Sequence, residues 1–266
     1  MIERSYSLAC ALSVLLILCA CGGTGGHTSF PVPQTPSDVA GNWQFNTTSS
    51  LSGASSLSIA GSIQQSAHAI SAATHIEGSG CFDPVTTVIL SGTVGGDSIS
   101  LSTPPAGEQV ITFSGSVTGI TFHGTYTIKG GCADGDQGTV EGVKIPPIPS
   151  SLSGTFTTST NSTFDGTVQA TEGTGNPDGT FGITGSATFV APCFSSGTLK
   201  PGTFPSGSFV LGRSVAFEIA TDNGTLKFQG TMDQATGLIG GSYTILGSTC
   251  NDVGTAVFSN SDPWAY

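Results

Sequence analysis

Charge is the scarcest property of this sequence. Of its 266 residues only 9% are charged, with 6 Lys plus Arg against 17 Asp plus Glu and a formal net charge of −11. A phosphate backbone would be repelled rather than neutralised, which excludes nucleic acid as a partner. Strong helix formers are also thin on the ground. The chain is built instead from 39 Gly with Ser, Thr, Val, Ile and Phe, residues that suit turns and half-buried strands. No apolar run is long enough to cross a bilayer as a helix: the run at 8–20 is 13 residues, against the roughly 20 required. With 2 Trp and 4 Tyr the sequence cannot build the two aromatic girdles of a membrane-spanning barrel, and many of its strand-like stretches are shorter than the about ten residues such strands need.

What is present begins with a targeting signal. Arg4 and the amino group precede the apolar run, and a small residue then leads into Cys21, so residues 1–20 are read as a secretion signal and excluded from the fold. The tetrapeptide Leu18-Cys19-Ala20-Cys21, followed by Gly22, resembles the bacterial lipobox. An ordinary signal peptide is the competing reading. The resemblance implies cleavage before Cys21, a diacylglyceryl group on its thiol and acylation of the new amino terminus. Several acyl chains, at about 0.8 kcal/mol per buried CH₂, anchor stably where one is marginal. Gly22 is similar to the sorting position of outer-membrane lipoproteins. Residues 21–37 are then a lipidated Cys and a Gly- and Pro-rich tether; the 16 residues from 22 to 37 reach roughly 20 Å as a flexible coil. Their glycines lack the Gly-Lys-Ser/Thr ending of a phosphate loop.

The remaining cysteines agree with an internal repeat. Of seven Cys, cleavage removes Cys10 and Cys19 and lipid occupies Cys21, leaving Cys81, Cys132, Cys193 and Cys250 in an exported chain where disulfides are permitted. Residues 41–143 match 153–258. Gly124-Thr125-Tyr126-Thr127-Ile128, Cys132, Asp134 and Gly138-Thr139 pair with Gly241-Ser242-Tyr243-Thr244-Ile245, Cys250, Asp252 and Gly254-Thr255. Upstream, Phe113-Ser114-Gly115 pairs with Phe228-Gln229-Gly230, Cys81-Phe82 with Cys193-Phe194, and Gly41-Asn42-Trp43 with Gly154-Thr155-Phe156. The economical disulfide pairing is therefore Cys81 with Cys132 and Cys193 with Cys250. A zinc site is the alternative, though no Cys-x-x-Cys pair occurs. The first module is expected at 38–144, the Pro-rich linker Ile145-Pro146-Pro147-Ile148-Pro149-Ser150 at 145–150, and the second module at 151–266.

Each module reads as all-β. Phe181, Ile183, Gly185, Ala187 and Phe189 alternate with polar residues, as do Ile111, Phe113, Gly115 and Val117. The first copy predicts eight strands near 40–48, 56–65, 68–78, 85–93, 97–103, 109–117, 120–129 and 137–143, joined by short Gly-bearing turns and so paired as antiparallel neighbours. Closing such a meander into an up-and-down barrel buries the apolar face and removes exposed edges. The Gly41-Asn42-Trp43 motif, a Gly-punctuated meander and a late Cys are similar to lipocalin-like and avidin-like barrels, where that Trp packs at the closed end. A β-sandwich is the alternative.

No catalytic constellation is legible. His27 lies in the tether; His68 and His75 fall on opposite faces of one regular strand; His123 stands alone. Asp134-Gly135-Asp136 with Glu141 has some character of a calcium loop but lacks its full run of ligands. No Gly-x-Ser-x-Gly elbow has partners in order. Asn46, Asn161 and Asn223 begin Asn-x-Ser/Thr tripeptides and are read as turn or strand-end residues. The expectation is a non-enzymatic, lipid-anchored cell-envelope protein that binds partners or shapes a surface, without metal or cofactor. Two alternatives stay open: a carrier of a small apolar ligand, with a cavity lined by Phe181, Ile183, Phe189 and Phe217, or an inhibitor of an envelope or secreted enzyme, presenting the loop 198–206.

Overall fold

The computed structural model describes residues 35–104, 109–247 and 251–261. The signal segment, Cys21 and His27 lie outside them. All regular elements are strands. The first eight are β1 (Gly41–Ser49), β2 (Ser58–Ser66), β3 (Ala69–Glu77), β4 (Val88–Gly95), β5 (Ser98–Ser102), β6 (Val110–Thr118), β7 (Thr121–Lys129) and β8 (Gln137–Ile145). They agree with the expected ranges to within three residues at every end. Each pairs antiparallel with its sequence neighbour, and β8 returns to β1, closing an up-and-down barrel.

The second set comprises β9 (Ser151–Thr158), β10 (Thr163–Gly175), β11 (Phe181–Val190), β12 (Ser196–Leu199), β13 (Phe209–Leu211), β14 (Ser214–Thr221), β15 (Gly224–Met232), β16 (Ile239–Gly247) and β17 (Asp252–Asn260). Here β17 pairs with β9 and β10 with β11, so this ring also closes. Both β12 and β13 lie between β11 and β14, sharing one strand position split by the loop 200–208. The chain is thus two eight-position barrels in tandem, and the sandwich alternative is set aside.

The ladders superimpose the two rings residue by residue. Tyr126 lies opposite Gly138, and Tyr243 opposite Gly254. Continuing round the ring, Phe45 opposes Gly142 while Gly154 opposes Phe258. Two sequence matches are corrected by this register. Leu152, not Phe156, holds the place of Trp43, and Asp136, not Asp134, is the counterpart of Asp252. The motif match failed because Gly and an aromatic recur often along these strands, so an even shift, four residues at Trp43 and two at Asp252, preserves the pattern.

That register exposes an exchange. In the first barrel the Phe45 ring lies against Gly142, where a Cβ would run into it; in the second the Phe258 ring lies against Gly154 in the same way. The aromatic and the glycine have swapped strands while filling the same interior volume. Closely packed interiors conserve volume more strictly than identity.

The barrels share a polarity. One end carries the incoming chain and tight turns such as Gly96, whose φ is +56°. The other carries longer loops, and there Cys81 (β3–β4 loop) and Cys132 (β7–β8 loop) are joined, with S–S 2.03 Å and a separation of 51 residues. A loop of that length corresponds to about 4 kcal/mol of closure entropy. Cys193 is likewise disulfide-bonded, in the equivalent β11–β12 loop; Cys250 lies outside the described residues.

The exchange makes a quantitative expectation. Gly142→Phe alone should overpack the first barrel and lower the urea midpoint by about 1–3 kcal/mol equivalent, or more. The double variant Phe45→Gly, Gly142→Phe reproduces the arrangement of the second barrel and should be more stable than the two single losses added together predict, by roughly 1 kcal/mol or more. Simple additivity in the urea titrations would refute the swap.

Candidate functional site

Both barrel interiors are filled. In the first, Trp43 is 1% exposed, its Nε1 donates to Val39 O at 2.8 Å, and its ring stacks on Phe45 at 5.5 Å. The space left among Trp43, Phe45, Leu90, Leu101 and Phe113 is ≈ 20 Å³, enough for a water but not for a ligand. In the second, Phe156 stacks on Phe164 at 4.7 Å and meets Phe189, Tyr243 and Phe258 edge-on. Phe181, Ile183, Phe189 and Phe217, the expected carrier lining, belong to this same packed core.

Each barrel is stoppered at the end where the chain arrives. Val39 and Ile148 stand four residues before Trp43 and Leu152, so they are equivalent, and both are buried. The Val39 N–H donates to Gln65 Oε1 at 2.8 Å, and the Ile148 N–H to Glu172 Oε2 at 2.9 Å. Gln65 and Glu172 hold the same ring position. The linker is therefore part of the second barrel, with Ile145 and Ile148 in its core. Burial pushes the Glu172 carboxyl above its ordinary range, against the opposing pull of the Ile148 N–H.

At the disulfide-bearing end each barrel holds a buried tyrosine on a carboxylate. Tyr126 Oη donates to Asp136 Oδ2 at 3.0 Å, and Tyr243 Oη to Asp252 Oδ2 at 2.7 Å. Ser49 and Ser159 hydroxyls donate to the other oxygens. Burial and then the neighbouring carboxylate raise both phenols. Burial would raise Asp252, but hydrogen bonds from Tyr243 and Ser159 outweigh it and hold the carboxyl low. Asp134 Oδ1 accepts the Gly130 N–H at 2.7 Å. These acids are thus occupied by protein donors that shape the loop, and Glu141 sits opposite His123 on the β7–β8 ladder.

A buried polar cluster outside the cores lies where the barrels meet, within one compact unit. The outward residues Gln44, Ala60 and His75 form a row across β1, β2 and β3. The end of the second barrel sits on this wall. Asn42 makes a reciprocal pair with Gly212, donating Nδ2–H to its carbonyl at 2.9 Å and accepting its N–H at 2.8 Å. Gln44 Oε1 accepts the Arg213 N–H at 3.4 Å. Gly212 has φ +54° and lies so close to Ala60 and Gln44 that a Cβ would collide with both. His75, only 3% exposed, bridges the modules: Nδ1 faces Pro84 O at 3.0 Å and Nε2 faces Asp178 O at 2.9 Å. Phe204, from the loop 200–208, packs on its ring at 4.8 Å and on Phe209 at 5.8 Å.

His68 lies just before β3, and its Nδ1 meets Val94 O at 2.9 Å. Sequence reasoning missed the joint. Its available signals were the polar residues Asn42 and Gln44 at outward positions of β1 and His75 at an outward position of β3, and the longer second-copy segment after Leu199. Leu90 and Val94 in the first barrel correspond to Leu199 and Val210 in the second, four residues apart in one and eleven in the other. The extra residues are the loop that carries Phe204.

No family model and no curated protein matches this chain. Among solved structures it is similar to kievitone hydratase from Nectria haematococca, at 10% identity over 90% of this chain and 96% of that one, with a TM-score of 0.23. It is also similar to a putative AttH from Nitrosomonas europaea, at 8% identity over 83% and 92%, with a TM-score of 0.24. Both scores are too low for either protein's activity to be carried over.

Two outcomes follow from these contacts. A carboxyl raised on folding binds its proton more tightly in the native state, so Glu172 favours folding at low pH and that contribution is lost as pH rises through its raised folded value. Glu172→Gln installs the residue the first barrel uses, keeps an acceptor for the Ile148 N–H, and should be more stable than the parent at pH 7, with the gap closing on acidification below the carboxylate range. Chemical denaturation at both pH values checks the sign. His75→Leu removes both ring contacts of this bridge, to Pro84 O and Asp178 O, and should cost about 1–3 kcal/mol. Amide hydrogen exchange should rise selectively at 175–180 and 204–213, while β6 and β7 stay protected.

Proposed function

We propose that this chain is a lipid-anchored protein of the bacterial cell envelope whose two barrels form a non-catalytic binding or structural module. The tether at 22–37 holds that module off the lipid surface. The observation that carries the reading is the filled interior: with ≈ 20 Å³ free in the first barrel and interlocked aromatics in the second, the chain meets partners with its walls and loops. That weighs against the apolar carrier. The inhibitor alternative loses its loop, because Phe204 in 198–206 is seated on His75 of the same chain. A non-catalytic role is supported by the described His68, His75, Asp136 and Asp252, each held in contacts that fasten strands, loops or barrels.

The anchor rests on Leu18-Cys19-Ala20-Cys21 and its resemblance to the lipobox, with Gly22 favouring the outer membrane. Three contacts fasten the end of the tether: Ser37 donates its N–H to Gly96 O at 2.9 Å and its hydroxyl to Asp97 at 2.6 Å, and Gln65 Nε2 donates to Ser37 O at 3.1 Å while its Oε1 holds Val39 of the first module. The lipid would thus connect to the turn end of the first barrel. Intact mass measurement of the membrane-extracted protein should give a chain beginning at Cys21 with acyl additions, and Cys21→Ala should abolish both the additions and the membrane association. A mature chain with a different amino terminus and no lipid would overturn the reading.

A further inference from the structure

His75 is buried at the joint among more acceptors than a neutral ring can serve. Its Nδ1 lies 3.0 Å from Pro84 O and its Nε2 lies 2.9 Å from Asp178 O, both backbone carbonyls that can only accept. A neutral imidazole carries one N–H and one lone pair, so one contact is a hydrogen bond and the other sets lone pair against lone pair. The imidazolium, with two N–H groups, makes both. Two further neighbours suit a cation. The Phe204 ring is centred 4.8 Å from the imidazole, within cation–π range. Asp178 Oδ2 is buried and has no hydrogen-bond partner among the described residues, while Oδ1 is taken by the Thr180 N–H and hydroxyl.

The charged groups on the surrounding elements agree. Across β2 the ring faces Ala60, which is neutral. Asp83, next to Pro84, accepts from the Val85 N–H and the Thr86 hydroxyl, and Glu77, two residues along β3, is exposed. The cations of the covering elements are engaged elsewhere: Arg213 Nε donates to Met232 O at 2.9 Å, and Lys200 pairs with Glu218 at 3.3 Å. We propose that His75 is a proton-operated latch between the barrels. One proton from solvent adds to the free ring nitrogen, completes both hydrogen bonds, and fastens the turn 175–180 and the loop 200–208 to the first barrel. The closed joint therefore holds that proton more tightly than the open one, so the fastening is complete at low pH and falls away as pH rises. Imidazole is the side chain that makes this exchange between about pH 5 and 8. The Asn42–Gly212 pair involves no titratable group, so the barrels stay joined there when the turn and loop part. The latch does not depend on the lipid anchor.

Amide hydrogen exchange of the full chain at about pH 5 and about pH 8, corrected for intrinsic rates, reads the latch. Opening at 175–180 and 204–208 should be roughly fivefold greater or more at the higher pH, within the limit of about tenfold per pH unit that one linked proton allows. His75→Gln, whose amide donates but does not titrate, should open equally at both values. Glu172→Gln should keep the parent's dependence, which separates the latch from the carboxyl that holds Ile148. At about pH 7, where a free imidazole has mostly lost its second proton, nitrogen NMR of the parent should still show a proton on each ring nitrogen of His75. A single protonated nitrogen at that pH, pH-independent opening of the parent, a His75→Gln chain that keeps the dependence, or its loss in Glu172→Gln would each overturn the proposal.

Discussion

The volume inside an eight-position β-ring governs the rest of this molecule. A ring of that size is just wide enough to be filled by side chains or to keep one small ligand, and here it is filled. The filling uses large rings laid flat against glycine. Phe45 on Gly142 and Phe258 on Gly154 are two solutions of one packing problem, with aromatic and glycine exchanged between neighbouring strands. Because the interior must be solved as a volume, individual residues drift while the sum is kept. The repeats therefore share a register more faithfully than they share a sequence.

Closure imposes the second constraint. A ring has no free edge strands, but it has two open ends, and apolar side chains there must be sealed from water. Val39 and Ile148 seal the entrances, each held by a side-chain oxygen from the same ring position, Gln65 or Glu172. At the opposite ends the tyrosines reach carboxylates, so the polar tip of each aromatic is satisfied where the core gives way to loops. The linker cannot act as a free spacer under these conditions, since its Ile148 is the stopper of the second barrel.

Once the interiors and ends are committed, the walls are what remain for contact. The chain uses one of them itself. Asn42, Gln44 and His75 are polar residues buried on an outward face, and such groups are tolerated only where donors or acceptors arrive with the covering surface. Gly212, Arg213 and Asp178 supply them through the backbone, which makes the joint dependent on turn shape rather than on side-chain charge. In a protein with so few charges, oriented peptide groups do the work that ion pairs do elsewhere.

Alternation of apolar and polar residues was enough to locate the strands of the first barrel to within a few residues, because a half-buried antiparallel strand must repeat every two residues. Cysteine arithmetic likewise anticipated the Cys81–Cys132 bond, since a repeat with two cysteines in each copy favours pairing inside the copy. Both are properties of local periodicity or of order along the chain. The alignment of Trp43 with Leu152 and of Asp136 with Asp252 was hidden, because a slip of four or of two residues leaves a strand's inward face unchanged and only closure of the ring fixes it. The joint at His75 was hidden for a related reason: its partners lie more than a hundred residues away, Asp178 in the β10–β11 turn and Phe204 in the loop inserted between β12 and β13. Periodicity along one strand determines which face is wet. Which wet face is afterwards covered is decided by three-dimensional packing alone.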